Sequence, residues 1–319
     1  MSKIRLILGT MQFGERLFGE EAYAMMETFR ECGYSELDTA YVYNGGESER
    51  IIGGALEQLK GPFGIATKVN PRVTGKLDSD AVLAQFSASL RRMGLDHVDI
   101  LYLHFPDSST PVESALEACA MLHDEGKYRE LGLSNFPAWL VAEVHNICKQ
   151  RGWVLPTVYQ GLYNPLSRHA ERELDMALDY YGMRFYAYNP LAGGLLTDKY
   201  ADKAIKDGRF TNRPNYQKRY WHDSYFHAID TIKSVCERFE VNIAEATYRW
   251  LVYHSMLNSE RGDGIIIGAS SSEQLMRNIS YVSKQSLPDE IAQAIEDAWT
   301  VSKADAPEYF TFYVPTENK

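Results

Sequence analysis

A strand-like segment followed by a helix-periodic one recurs eight times along this chain of 319 residues, and few folds tolerate that order. The apolar runs fall at 4–8, 36–39, 63–67, 98–103, 130–133, 157–160, 183–188 and 264–267. Helical spacing occupies 20–32, a stretch from Glu49, then 78–93, 111–125, 138–150, 170–181, 228–240 and 243–255, with 272–283 and 288–303 after the last strand. Parallel strands need a long crossover between them, which a helix supplies, so this rhythm predicts a parallel sheet. Eight units favour closure into a (β/α)8 barrel over an open doubly wound sheet. Punctuation agrees with the boundaries. Asp78 is an N-cap candidate, Gly33 and Gly126 stop helices, and Ser48 with Gly53 and Gly54 is expected to bracket the helix that begins at Glu49.

No low-complexity or linker-like tract interrupts residues 1–319, which predicts one barrel domain. With 33 basic against 43 acidic residues and a net charge of −10, the balance argues against a general electrostatic affinity for nucleic acid or anionic membranes and leaves room for a local basic pocket. The N-terminal MSKIRLILGTMQFG is too short in apolar residues for a secretory signal, and no run is long enough to span a bilayer, so a cytoplasmic protein is expected. Cys32, Cys119, Cys148 and Cys236 stand singly in predicted helices, without CxxC or Cys/His clustering. They read as free, buried thiols rather than disulfides or metal ligands.

The rhythm fails between 189 and 226, where Gly, Pro, Arg and aromatic residues follow one another with little period. So long an irregular connection is expected to be a functional loop. The first strand-to-helix turn reads GTMQFG, which lacks the GxGxxG of an open-sheet dinucleotide site.

Four polar residues, Asp38, Tyr43, Lys68 and His104, sit at or just beyond the C-terminal ends of predicted strands. In a barrel those ends converge on one mouth. Singly, each has an ordinary reading: a turn cap, a packed tyrosine, a solvated lysine, a structural histidine. Together they read as a proton-transfer site.

The flanks of these residues carry a resemblance. Leu8-Gly9-Thr10-Met11, Leu37-Asp38-Thr39-Ala40-Tyr41-Val42-Tyr43, Thr67-Lys68, Leu101-Tyr102-Leu103-His104 and Leu133-Ser134-Asn135-Phe136 resemble the aldo-keto reductase superfamily. The likeness continues through Val158-Tyr159-Gln160, residues 189–196 and residues 268–275, in order and over nearly the whole chain. His104-Phe105-Pro106-Asp107, Gln160-Gly161-Leu162-Tyr163-Asn164 and Arg219-Tyr220-Trp221 are most similar to the aflatoxin-aldehyde and succinic-semialdehyde reductase branch.

The resemblance implies an NADPH-dependent reductase of barrel fold in which Tyr43 donates a proton to a carbonyl oxygen. Lys68 would stabilise the phenolate form of Tyr43, Asp38 would orient Lys68, and His104 would hydrogen-bond the substrate oxygen. It further implies that Ser134, Asn135 and Gln160 meet the nicotinamide carboxamide and that Tyr188 lies against the nicotinamide face. Asn189, Leu191, Gly193 and Lys199 would contact the pyrophosphate, and Arg209 the cofactor. Gly268, Ser270, Ser271, Gln274, Arg277 and Asn278 would surround the adenosine phosphate, with Arg277 the only cation of that segment.

Met11 and His104 are expected to wall the substrate pocket, and Tyr216 and Arg219 to contact substrate from the basic, aromatic loop. Such a loop suits a small aldehyde that carries a carboxylate, which a guanidinium can hold by two bonds. A pyridoxal or sugar-aldehyde reductase of the same superfamily is the nearest alternative. From another class, the superfamily contains nucleotide-binding regulatory subunits of potassium channels. No metal, nucleic acid or membrane partner is implied, and since members of the branch are often dimers, a homodimer stays open.

Overall fold

In the computed structural model, which describes residues 4–200, 203 and 209–314, eight parallel strands close in chain order into a barrel. They are β1 (Arg5–Gly9), β2 (Glu36–Asp38), β3 (Gly64–Val69), β4 (Val98–Leu103), β5 (Tyr128–Ser134), β6 (Pro156–Leu162), β7 (Arg184–Tyr188) and β8 (Gly264–Ile267). The ring is sealed where β8 pairs with β1, Arg5 opposite Gly264 and Leu8 opposite Ile267. Helices α1 (Gly19–Glu31), α2 (Glu47–Gln58), α3 (Ser79–Met93), α4 (Val112–Asp124), α5 (Ala138–Arg151) and α6 (Leu174–Tyr181) cross over between the first seven strands. After β7 come two short helices, α7 (Arg209–Asn212) and α8 (Pro214–Tyr220), then α9 (Asp223–Arg238) and α10 (Ile243–Tyr253). Helices α11 (Ser272–Val282) and α12 (Asp289–Ser302) follow β8.

The period of two along each strand sorts side chains into two cores. Ile7, Ala66, Ile100, Tyr102, Val158, Tyr186 and Ile266 fill the barrel interior. Their neighbours, such as Leu37, Leu101, Leu103 and Leu133, point outward into the layer beneath the helices, against Phe86, Val141 and Ile232. Each such buried aliphatic side chain contributes about 1.5–3 kcal/mol relative to exposure. The interior packing is exacting at β5. A Cβ on Gly132 would stand 2.3 Å from the Tyr102 ring, so the bare backbone there makes room for that phenol.

Local chemistry explains most boundaries, and three expectations need correction. Asp78 does cap α3, accepting from Ala81 N–H at 3.0 Å. Ser48, in contrast, lies inside α2, which begins at Glu47 after left-handed Gly46. Its hydroxyl is spent on Thr10 and Thr39, each at 2.9 Å, which ties the top of β1 to that of β2. Gly53, expected to mark the end of that helix, is interior to it, and a Cβ there would meet the Arg92 carbonyl oxygen at 2.8 Å, so the glycine lets α2 approach α3.

Cys32 is exposed at the C-terminal cap of α1, while Cys119, Cys148 and Cys236 are buried as expected. Finally, the stretch 189–226 is not all irregular: α7 and α8 and the start of α9 lie within it. Their aromatics pack on one another, with Phe210 edge-on to Tyr200 at 5.0 Å and Trp221 edge-on to Phe226 at 5.0 Å. Among the described residues no helix is long and apolar enough to cross a membrane.

Candidate active site

The inward register that builds the barrel core also builds the site above it. Two residues beyond Ala66, Tyr102, Val158 and Tyr186 stand Lys68, His104, Gln160 and Tyr188, all turned to the same mouth by the same pleat. Lys68 is fully buried, and its ammonium donates to both carboxylate oxygens of Asp38 at 2.7 Å and to the Thr39 carbonyl at 2.6 Å. Three acceptors for three protons is the arrangement of a charged lysine. Burial pulls its pKa down and Asp38 opposes that shift. Asp38 also accepts from the Gln160 amide at 2.7 Å, so the carboxylate is held from β3 and β6 together.

Tyr43 follows β2 on a turn of left-handed residues, Asn44 at φ 50°, Gly45 at 66° and Gly46 at 90°. Asn44 pins that turn by donating to the carbonyls of Met11 at 2.9 Å and Phe13 at 2.7 Å. The phenol is partly buried and lines the cavity, and the Lys68 ammonium lies 5.3 Å from its ring centroid. Burial, then the Asp38 carboxylate, push the Tyr43 pKa well above 10. In this resting state the phenol holds its proton, as a donor must. Asp38 neutralises the ammonium at contact, so Tyr43 faces an ion pair rather than a lone cation, and the phenol stays protonated.

His104 stacks on Phe105 at 4.9 Å and meets the Tyr43 ring edge-on at 6.2 Å. Burial, then the charges of Lys68 and Arg72, hold its pKa well below 6.5, so the ring is neutral. The tautomer is set by Asn70, which the sequence reading missed. Asn70 Oδ1 accepts from Arg72 N–H at 3.0 Å, which turns its NH2 end to His104 Nδ1 at 3.0 Å. Nδ1 therefore accepts and the proton resides on Nε2. Asn70 is itself clamped by Gln85 of α3, whose amide bonds the Asn70 backbone N–H at 2.9 Å and carbonyl at 3.1 Å.

All the remaining predicted residues but Arg209 and Ser271 line one cavity of about 1220 Å³, with Met11, Tyr216 and Arg219 on the substrate side. Asn135, left-handed at φ 61°, donates to the His104 carbonyl at 2.9 Å and to Ser134 Oγ at 3.0 Å, and accepts from Tyr188 at 2.7 Å. Asn189 (φ 55°) and Gly193 (φ 72°) shape the turn after β7, and a Cβ on Gly193 would press on the Tyr216 ring at 2.8 Å. Leu191 and Lys199 line the cavity there, while neighbouring Asp198 pairs with Lys233 at 3.0 Å. Arg209 opens α7, but its side chain lies outside the described residues.

After β8, Ser271 caps α11, accepting from Gln274 N–H at 3.2 Å. Gln274 in turn receives the backbone N–H of Ser270 at 2.8 Å and its hydroxyl at 2.9 Å, so these three residues also serve one another. Ser270, Gln274, Arg277 and Asn278 reach the cavity and Ser271 does not.

A model of the Aldo/keto reductase family matches residues 5–300, with this barrel and this mouth inside the match. The chain belongs to that family. It is 44% identical to "Aflatoxin B1 aldehyde reductase member 2" of Mus musculus over 95% of this chain and 87% of that protein. It is 42% identical to the Homo sapiens protein of the same name, over 97% and 90%, and 42% identical to "Aldo-keto reductase family 7 member A3" of Homo sapiens, over 95% and 96%.

Aldo-keto reductases are oxidoreductases that use a nicotinamide cofactor, and the cavity fits such a group. The Nδ2 of buried Asn278 and the hydroxyl of fully buried Tyr248 line it, and neither has a hydrogen-bond partner among the described residues. At Gly268 an added Cβ would meet nothing within 4 Å, which leaves the backbone open to close approach. Among the described residues no group of His, Cys, Asp or Glu is arranged to hold a metal.

Proposed function

We propose that this protein is an NADPH-dependent aldehyde reductase, the chain working as one barrel domain, with a preference for small aldehydes and dialdehydes that carry a carboxylate, such as succinic semialdehyde. The observation that carries this reading is the protonated Tyr43 phenol at the cavity wall beside the Lys68–Asp38 pair and a neutral His104. When bound, the nicotinamide supplies the hydride. Ser134, Asn135 and Gln160 would hold its carboxamide and Tyr188 its face. Asn189, Leu191, Gly193 and Lys199 would hold the pyrophosphate, and Gly268, Ser270, Ser271, Gln274, Arg277 and Asn278 the adenosine end.

His104 donates from Nε2–H to the carbonyl oxygen and polarises it. Tyr43 then gives its proton to that oxygen as the alcohol forms. The phenolate left behind is next to the Lys68 ammonium, whose charge offsets it until a proton returns. Arg219 would take the carboxylate of the substrate, with Tyr216 and Met11 around its chain. The similarity to aflatoxin B1 aldehyde reductases supports the aldehyde assignment. The test is NADPH oxidation against a panel of neutral and carboxylated aldehydes, with NADH as the control. Turnover of aldehydes with NADPH well ahead of NADH is expected; no consumption with any aldehyde rejects the assignment.

A further inference from the structure

Of the arginines that line the cavity, Arg72 and Arg219 stand close enough to feel each other's charge, and among the described residues no carboxylate pairs with either. Arg219, on α8, rests against the rings of Tyr216 and Tyr220 at 5.7 and 5.8 Å. Arg72, just past β3, lies 4.4 Å over the ring of Phe105, which stacks in turn on His104. Another arginine of the lining, Arg213, is neutralised by Glu15 at 2.8 Å. Among the described residues, the strongest electrostatic influences on Arg72 come from Arg219 and tyrosines, and those on Arg219 from tyrosines, not from a carboxylate. Burial and then the charge of Arg219 lower the Arg72 pKa, with Tyr188 and Tyr313 opposing. Around Arg219, burial is outweighed by the hydroxyls of Tyr188, Tyr220 and Tyr216.

Topology sets the two cations across from one another. Strands β3 and β7 are four apart in the ring of eight, so Arg72 arrives from one side of the mouth and the loop carrying Arg219 from the other. The segments expected to meet the cofactor phosphates follow β7 and β8, whereas Arg72 stands on the β3 side beside Phe105 and His104. Two like charges that act on each other across a cavity favour an anion between them. One carboxylate satisfies only one guanidinium fork, while two carboxylates, or one phosphate monoester, satisfy both.

We propose that Arg72 and Arg219 form a two-sided clamp for a dianion, so that the preferred substrate is an aldehyde whose tail bears two negative charges. The clamp rests on the aldehyde-reductase reading and sharpens its substrate class. Arg72 acts in it as a specificity residue.

The test has two arms. In kinetics, glyceraldehyde 3-phosphate and a dicarboxylated aldehyde are each compared with glyceraldehyde and succinic semialdehyde, in the wild type and in Arg72→Gln. Wild-type kcat/KM for at least one dianionic aldehyde should exceed that for succinic semialdehyde about tenfold or more, and Arg72→Gln should remove that advantage mainly through KM. Which dianion gains shows whether the second charge is a carboxylate or a phosphate. No dianion preference in the wild type, or equal losses for neutral and dianionic aldehydes in Arg72→Gln, overturns the clamp.

In binding, succinate and butyrate are titrated against tryptophan fluorescence of the full chain. Succinate should bind about tenfold tighter, and Arg72→Gln should bring the two together. Equal affinities in the wild type overturn the clamp even where aldehydes are reduced. A clamp that selects succinate in a protein that reduces no aldehyde overturns the reductase reading alone.

Discussion

The side-chain amide of Asn70 meets His104 Nδ1 at 3.0 Å, and this contact decides which ring nitrogen carries the proton. Asn70 continues the inward register of β3, two residues past Lys68, and is 1% exposed, so the amide has no solvent to turn to. The Arg72 N–H fixes which way the amide faces, and Gln85 clamps the Asn70 backbone beneath it.

Asn70→Asp should therefore convert a flat pH profile into a falling one. A carboxylate at this place raises the His104 pKa and, once the ring is neutral, favours Nδ1–H and leaves Nε2 bare. Activity should persist at low pH, where both nitrogens are protonated, and decline about tenfold or more as pH rises through the new His104 pKa. A profile of kcat against pH that matches the wild type would exclude the tautomer role.

Tyr43→Phe removes the proposed acid and leaves the ring packing. Reduction should fall by about 10²–10⁴ or more, while quenching of NADPH fluorescence on binding persists. Retained turnover would sink the assignment of Tyr43.

For Arg219→Ala the expected effect is selective. KM for succinic semialdehyde should rise about tenfold or more, because a charge-assisted bond is lost, and KM for an uncharged aldehyde should change far less. Equal changes on both would reject the carboxylate anchor.

The Lys68–Asp38 pair should behave as a buried unit. Asp38→Asn leaves an ammonium, and Lys68→Met a carboxylate, without its partner in a site where both are buried. Each should cost about 3–5 kcal/mol in urea denaturation, and the double variant should cost clearly less than the sum. Additive losses would show that the two act independently.

Acid should weaken the fold through its histidines. Burial depresses the pKa of His104, His145, His169 and His254 below 6.5 in the folded chain. The unfolded state then binds protons first, so the stability is fully present above about pH 6.5 and is lost as pH falls from there through the folded values. The urea midpoint should drop between pH 7 and 5, and His104→Gln should make that slope shallower. An unchanged slope in the variant would show that His104 already titrates as in the unfolded chain.

Much of this was legible without coordinates, for identifiable reasons. Period and turn chemistry located all eight strands and most helices, because each depends on neighbours within a few residues. Only the ends moved, as at α2, where Ser48 turned out to serve a contact across two strands rather than a cap. The helices α7 and α8 escaped because they are too short for a period and are held by aromatic packing with distant partners. Asn70 and Arg72 escaped although the same alternation that reveals Lys68 extends to Asn70. A lone amide past a strand end carries no signal until the histidine from the next strand is beside it.

The sequence by itself determined the barrel, through an order of strands and helices that closes in only one common way, and it determined the residue types at the mouth. Tertiary structure alone decided their electrical states. Lys68 is compensated by Asp38 at 2.7 Å, Tyr43 keeps its proton, and His104 is neutral with its proton on Nε2. Those states depend on desolvation and on charges brought together from strands that are dozens of residues apart, quantities that exist only once the ring has closed.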